Sequence, residues 1–482
     1  MNKMLLFFTS RHYRLFSALL LLALSLENIQ AESHALSVFL KTPELSCANV
    51  GVLVKEIKNN KIIADYQSNK VLLPGSNLKL ITTATALNLL GPDFKFQTPL
   101  QYDGNIDRDG ILHGNIYIVG TGDPTIGSEK FDDINFIDQW VNAVKNIGIK
   151  AIEGRIVADV SAFDREVIPP NWVWEDMGNY YAAGDYGLSL DDNMCRLTFR
   201  TGSVGSTPVI VSVAPEFHPI IFHNYLKASS VNADDSYLHG APFSYQRTIT
   251  GTIPANRASF VVKGDLPNPP LALATYFTWE LTRKGIAVKG TPTDTLPDLL
   301  SSRHTFYVHY SPDLNTIIDK TNIESNNLFA EHIFKRLALI DYPVATREEA
   351  THMVKQFWSN HQFDTTSLFM EDGCGLSPFD GVTPSFLVHL LIYMRTENPY
   401  GNQLLNSLPV AGVNGTLRNF LANTPLEGKV RAKSGSIMRV LCYSGYLQHN
   451  NKDYVFSIMT NNFCGSSLNV RKAIEKFLLS IH

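Results

Sequence analysis

The chain has 482 residues, 44% of them hydrophobic and 18% charged, with a formal net charge of −4. That length supports more than one buried core and the composition is globular, which excludes a disordered or fibrous chain. No basic surplus points to nucleic acid, and five cysteines without a CxxC, beside no His-Glu-x-x-His, supply neither a metal nor a redox motif.

At the N-terminus, Lys3, Arg11 and Arg14 precede an apolar run over 15–26, and Asn28-Ile29-Gln30-Ala31 ends on a small residue. This pattern predicts a secretory signal peptide over 1–31 and an exported protein, periplasmic or otherwise extracytoplasmic. An uncleaved anchor is the competing reading, although the run is short for a membrane span. No cysteine follows it closely, which argues against lipid attachment there. Removing 1–31, with three Lys/Arg and one Glu, leaves 38 basic and 44 acidic residues, a net charge of −6.

Two β-rich runs follow, at 50–57 and 61–66, joined around Asn59-Asn60 as in a hairpin. Leu73-Pro74-Gly75-Ser76-Asn77-Leu78-Lys79 then changes the texture to helical, and Gly91-Pro92 stops the helix. A serine three residues before a lysine places a hydroxyl and an amine one turn apart on one helix face. Alone, such a tetrapeptide is more often just a helix N-terminus. From 96 to 295, short β-like runs (111–119, 155–160, 208–213, 259–262) alternate with turn residues, and Pro269-Pro270 opens a helical run at 271–284. Helical periodicity returns at 322–340, 346–358 and 385–395. Strand patterns at 430–433, 439–448 and 454–460 and a last helix at 468–479 close the chain. The organisation implied is a catalytic domain of two parts, 35–95 and 296–482, around inserted β-rich domains at 96–295, with one of two inserted domains nested in the other.

Two further polar clusters accompany Ser76 and Lys79. Ser325-Asn326-Asn327 stands where a helix N-cap would, and Lys433-Ser434-Gly435-Ser436 lies on a late strand whose glycine suits a close backbone approach. Strand alternation points Lys433 and Gly435 one way, Ser434 and Ser436 the other. The clusters run in the order S-x-x-K, S-x-N, K-[ST]-G, the motif set of serine acyl-transfer enzymes that recognise penicillin. The histidines His304, His309, His332, His352 and His361 have no metal-ligand spacing.

With these motifs, the chain resembles the class C low-molecular-mass penicillin-binding proteins, the D-alanyl-D-alanine carboxypeptidase/endopeptidase family. Other segments carry the likeness: Gly120-Thr-Gly-Asp-Pro-Thr125, Pro169-Pro-Asn-Trp-Val-Trp-Glu-Asp-Met-Gly-Asn-Tyr-Tyr181, Asp372-Gly-Cys-Gly-Leu-Ser377 and Leu408-Pro-Val-Ala-Gly-Val-Asn-Gly-Thr-Leu417. Ser434, Asn326 and Cys374 depart from the usual Thr, Asp and Ser, and none of these removes a group the chemistry needs.

The resemblance implies an α/β fold: a split penicillin-binding-protein/β-lactamase-like transpeptidase domain, an antiparallel sheet with helices, carrying the insertion. It implies a serine-type D-Ala-D-Ala carboxypeptidase, with D,D-endopeptidase activity, acting on peptidoglycan stem peptides and bound covalently by β-lactams. Ser76, Lys79, Ser325, Asn327 and Lys433 are then the catalytic candidates, and Ser434, Gly435, Ser436 and Asp159 the substrate-binding ones. Asp159 is the candidate for recognising a diamino-acid amine. Cys374 is a free thiol or a disulfide partner, and Trp172 and Trp174 read as packing residues rather than sugar platforms. No cofactor or metal is implied. A peripheral membrane contact is compatible with the sequence, which fixes no oligomeric state. The competing functions are a non-catalytic cell-wall scaffold with a relic site, and a β-lactamase, which the long insertion disfavours.

Overall fold

The computed structural model describes residues 34–131, 135–216, 219–297 and 302–481. The expected signal peptide over 1–31 lies outside the described residues.

A five-stranded antiparallel sheet organises the two ends of the chain, in the order Val430–Ile437, Val440–His449, Lys452–Asn461, Asn49–Glu56, Ile62–Tyr66. The hairpin read at the N-terminus therefore docks on the last strand, from Asn49↔Asn461 to Glu56↔Tyr454. Alternation divides the strand Asn49–Glu56 between two cores. Val50, Val52 and Val54 join Leu36, Phe39 and Phe477 under the helices His34–Leu40 and Ser467–Leu479. Leu53 faces a larger helical layer, built from Lys79–Leu89, Leu314–Ile323, Asn327–Ala338, Arg347–Asn360 and Pro384–Thr396. Where that layer presses closest, Gly51 has no room for a side chain: a Cβ there would lie 2.8 Å from both Leu72 and Pro384.

Among its described residues, the middle of the chain forms four smaller sheets. His304–Tyr310, Gln97–Tyr102, Ile116–Val119 and Ile156–Asp159 make one, and Ala287–Val288, Ala151–Ile152, Ile111–His113 and Asn105–Ile106 a second. Helices Phe136–Asn146 and Pro269–Arg283 cover them around Trp140 and Phe277. Residues 194–265 supply the other two sheets, closed over their own core of Leu197, Phe199, Leu238 and Ile249.

Two details differ from the sequence reading. The strand His304–Tyr310 falls in the segment assigned to the second catalytic part, yet it pairs with Gln97–Tyr102, so the insert's sheet extends to Tyr310. A partner two hundred residues away leaves no local mark. The helix read over 322–340 is two helices, Leu314–Ile323 and Asn327–Ala338. Between them Ser325 has φ +59°, and Asn326 caps the second helix by accepting the Phe329 N–H at 3.0 Å.

Buried charge docks the insert onto the helical layer. Lys335 is fully buried and donates to Asp164 at 2.6 Å, while Arg347 pairs with Asp185 at 2.7 Å. Such pairs register one unit on another more than they stabilise it. Among the described residues no helix is long and apolar enough to cross a membrane.

Candidate active site

Ser76 is placed by the sheet. Asn461, at the end of its strand, accepts the Leu73 N–H at 2.7 Å and donates to the Leu73 carbonyl at 3.0 Å. The chain then turns through Gly75, at φ +50°, into a short 3-10 turn, Gly75–Leu78, and the helix Lys79–Leu89. Asn77 anchors this turn by donating to Ser444 Oγ at 2.8 Å. The strand Val430–Ile437 passes very close: a Cβ on Gly435 would lie 2.2 Å from the Pro74 carbonyl oxygen and 3.0 Å from the Ser76 amide nitrogen. A Cβ on Gly75 would lie 3.1 Å from the Ser436 amide nitrogen. The Ser76 and Ser436 amides therefore sit side by side, as a hole for a developing oxyanion requires.

Lys79 is fully buried and makes three hydrogen bonds: to Ser76 Oγ at 3.0 Å, Asn327 Oδ1 at 2.6 Å and the Cys374 carbonyl at 2.7 Å. Asn327 cannot turn away, because its amide nitrogen donates to the Tyr181 carbonyl at 2.8 Å. Burial pushes the Lys79 amine below the ordinary lysine value, against the pull of the Cys374 thiol and of Asp372, Glu331 and Asp380. A neutral amine has two N–H groups and one lone pair. In that form the two carbonyl acceptors would take the N–H groups and the lone pair would face the Ser76 hydroxyl.

Lys433, also fully buried, donates to Ser325 Oγ at 2.9 Å and to the Ser434 carbonyl at 2.8 Å. Burial, and then the charge of Lys79, hold its pKa well below the ordinary lysine value. The alternation read from sequence holds, since Lys433 and Gly435 are buried while Ser436 is exposed. The Ser434 hydroxyl donates to Thr416 Oγ1 at 2.8 Å.

Behind Lys79 the loop at 372–377 is wound around one carboxylate. Asp372 accepts five N–H groups: those of Cys374 and Gly375 on Oδ1, and those of Leu376, Ser377 and the Trp172 indole on Oδ2. Glu331 accepts the Gly373 N–H at 2.8 Å, and burial beside Asp372 pushes its pKa up to about 8. Glu331, Asp372 and Cys374 are near enough to hold one ion. Asp372, however, has its oxygens occupied by N–H donors, which makes it a loop organiser rather than a ligand. Cys374 is a buried free thiol.

A cavity of about 710 Å³ opens in front of this machinery, with Ser76, Ser325, Asn327 and Ser436 in its lining. The insert supplies the opposite wall: Val173, Glu175, Asp176, Tyr181 and Tyr237. Ser76, Lys79, Ser325, Asn327, Lys433 and Ser436 are thus brought together, and Gly435 shapes their approach. Asp159 is not in that lining. It ends its strand 5% exposed, its carboxylate held by Arg303 at 2.6 Å and by the Ser161 N–H at 3.0 Å. Glu175, Asp176, Tyr237 and Asp372 were missed as site residues. Two of them lie in the quoted block 169–181, where an acid pair beside tryptophans was a signal without an address. Trp172 packs as expected at 4% exposure, whereas Trp174 does not, at 59%.

The D-Ala-D-Ala carboxypeptidase 3 (S13) family model matches residues 32–480. The chain is 27% identical over 452 residues to a D-alanyl-D-alanine carboxypeptidase of Actinomadura sp. (strain R39), covering 91% of this chain and 82% of that protein. It is 27% identical over 411 residues to the D-alanyl-D-alanine carboxypeptidase DacB of Haemophilus influenzae, covering 84% and 83%. The crystal structure of penicillin binding protein 4 from Haemophilus influenzae superposes with a TM-score of 0.79 at 25% identity, covering 92% of this chain and 98% of that one. The same protein complexed with a β-lactam gives a TM-score of 0.75.

Proposed function

The chain belongs to the D-Ala-D-Ala carboxypeptidase 3 (S13) family and is a serine-type D-Ala-D-Ala carboxypeptidase; from that premise we propose that Ser76 is its acylated nucleophile and Lys79 the base that activates it. The observation that carries this reading is the set of three oxygens around Lys79 Nζ: once two carbonyls accept its N–H groups, a neutral amine would turn its lone pair to the Ser76 hydroxyl.

Lys79 takes the Ser76 proton as Oγ attacks the carbonyl between the two D-alanines of a stem peptide. The N–H groups of Ser76 and Ser436 stabilise the oxyanion. Ser325, fed by Lys433, passes a proton to the departing D-alanine amine. The Lys433 amine and the Ser436 hydroxyl favour the terminal carboxylate as donors, while the Ser434 hydroxyl is engaged with Thr416. Water then releases the shortened peptide. A β-lactam follows the same first step and stays attached through its acyl group.

The substrate's diamino-acid amine fits the wall that carries Glu175 and Asp176, the acids that line the cleft. D,D-endopeptidase activity is part of this reading, since a cross-link places a second stem peptide where free D-alanine would leave. The pattern at 1–31 supports export to the compartment that holds peptidoglycan.

Intact-mass measurement after incubation with benzylpenicillin tests the assignment. One acyl adduct is expected on the wild type, none on Ser76→Ala, and none on a Lys79→Ala variant with an unchanged circular dichroism spectrum. An adduct surviving in Ser76→Ala would refute it.

A further inference from the structure

A row of aromatic rings leaves the cleft on the insert side. Tyr237 lines the cavity and is 37% exposed. It stacks on His239, its neighbour on the same face of the strand Asp235–His239, with centroids 6.3 Å apart and ring planes at 11°. His239 stacks in turn on Trp174, at 5.9 Å and 12°. Trp174 is 59% exposed and stands between Val173 and Glu175, both of which line the cavity.

The row is built rather than incidental. The Leu238 N–H donates to Asn179 Oδ1 at 3.0 Å and the Gly240 N–H to the Met177 carbonyl at 3.3 Å, so the strand and the segment carrying Trp174 are tied together. Gly178 permits the approach: a Cβ there would lie 2.6 Å from the Leu238 carbonyl oxygen. Thr250 engages His239 Nε2 at 3.2 Å. A large indole left in water costs burial that the fold could have used, and a flat face presented on a rigid support suits a flat, partly apolar ligand.

We propose that Trp174, backed by His239 and Tyr237, is a stacking platform for a sugar ring of the glycan strand whose stem peptide occupies the cleft. A pyranose ring offers C–H groups from one face and hydroxyls from its edge. The indole takes the first and leaves the second to hydrogen-bond with water. The site rests on the peptidoglycan reading above. Continuity with the cleft selects the occupant, because a stem peptide extending from Ser76 at about 3.3–3.6 Å per residue leads to a sugar at its far end.

The test is binding of the full chain to soluble glycan strands stripped of their peptides, followed by tryptophan fluorescence, with penicillin acylation measured in parallel. The wild type is expected to bind, Trp174→Ala to bind about tenfold more weakly, and Trp174→Phe to keep most of the affinity. Acylation rates should be unchanged in both variants. No binding by the wild type, or equal binding by Trp174→Ala, overturns the proposal. Failure of the catalytic reading would appear separately, as absent acylation in a protein that still binds glycan.

Discussion

The indole N–H of Trp172, a residue of the inserted region, donates to the carboxylate of Asp372 at 2.8 Å. That carboxylate also fixes the loop whose Cys374 carbonyl accepts from Lys79. The insert is therefore connected to Lys79, the proposed base, through one acid. Asp372→Asn replaces an acceptor oxygen with a donor and leaves buried N–H groups unpaired, at about 1–3 kcal/mol each. Acylation by a fluorescent penicillin should fall at least about a hundredfold. Trp172→Phe, which loses one donor and keeps a ring, should cost less than about tenfold. Equal acylation in Asp372→Asn and the wild type would remove the loop from the mechanism.

Gly435 is expected to tolerate no side chain. Its φ is not among the positive values, so the objection to Gly435→Ala is the contact with the Pro74 carbonyl and the Ser76 amide alone. Pushing the strand away opens the oxyanion hole, and a loss of about a hundredfold or more in acylation rate follows. A melting curve should show a smaller penalty, on the order of 1–3 kcal/mol. A fully active alanine variant would mean that the two amides do not act together.

Acylation should rise with pH along an acid limb set by Lys79. Burial favours the neutral amine, so the limb lies below the ordinary lysine value of 10.5. Lys79→Arg keeps the charge and much of the volume, but it stays protonated throughout. It should fold, as judged by circular dichroism, and show no acylation at any pH on that limb. Measurable acylation in the arginine variant would require another base.

The acid wall sets a specificity test. Asp176 accepts from the Tyr181 hydroxyl at 2.9 Å and faces the cavity beside Glu175. Asp176→Asn should lower kcat/KM for a stem peptide with a free diamino-acid amine by about tenfold, and leave an N-acetylated analogue nearly unchanged. Asp159→Asn, outside the lining and paired with Arg303, should not discriminate between the two peptides. The opposite pattern would return the role to Asp159.

His332 is expected to make one contribution to the acid dependence of stability. It is fully buried between the Gly122 carbonyl and the Ser189 hydroxyl, and its pKa is lowered to about 3. Between about 3 and the ordinary 6.5, the unfolded chain binds a proton that the folded chain refuses. Stability contributed by this residue is complete above the higher value and is lost as pH falls toward the lower, by at most about 1.4 kcal/mol per pH unit. Denaturant titrations at several pH values should show a shallower slope for His332→Gln, whatever its absolute stability. An unchanged slope would mean that other groups carry the effect.

What was legible beforehand follows the range of the interactions. Ser76 and Lys79 sit one turn apart and Lys433 and Ser436 lie on one strand, but the order of the three clusters, not local geometry alone, announced them. The break at Ser325 was hidden because serine and asparagine suit both a helix start and a left-handed kink. Asp176 and Tyr237 reach the cleft only because the strand Asp235–His239 is bonded to Asn179 and Met177. No periodicity encodes that meeting. Asp159 illustrates the same limit from the other side: an acid at a strand end looks available until Arg303 is found on it.

The pairing of Asn49 with Asn461 has a consequence for biogenesis. A chain emerging from its N-terminus presents Ser76 and Lys79 before the insert, but Lys433, Ser436 and Asn461 only after it. Until they do, the nucleophile has neither its second amide nor the anchor at Leu73. The growing polypeptide is thus expected to be inert toward stem peptides and antibiotics alike until the strands from Val430 to Asn461 have been added. Chains stopped before Val430 should take up no fluorescent penicillin, however much of the insert they have folded.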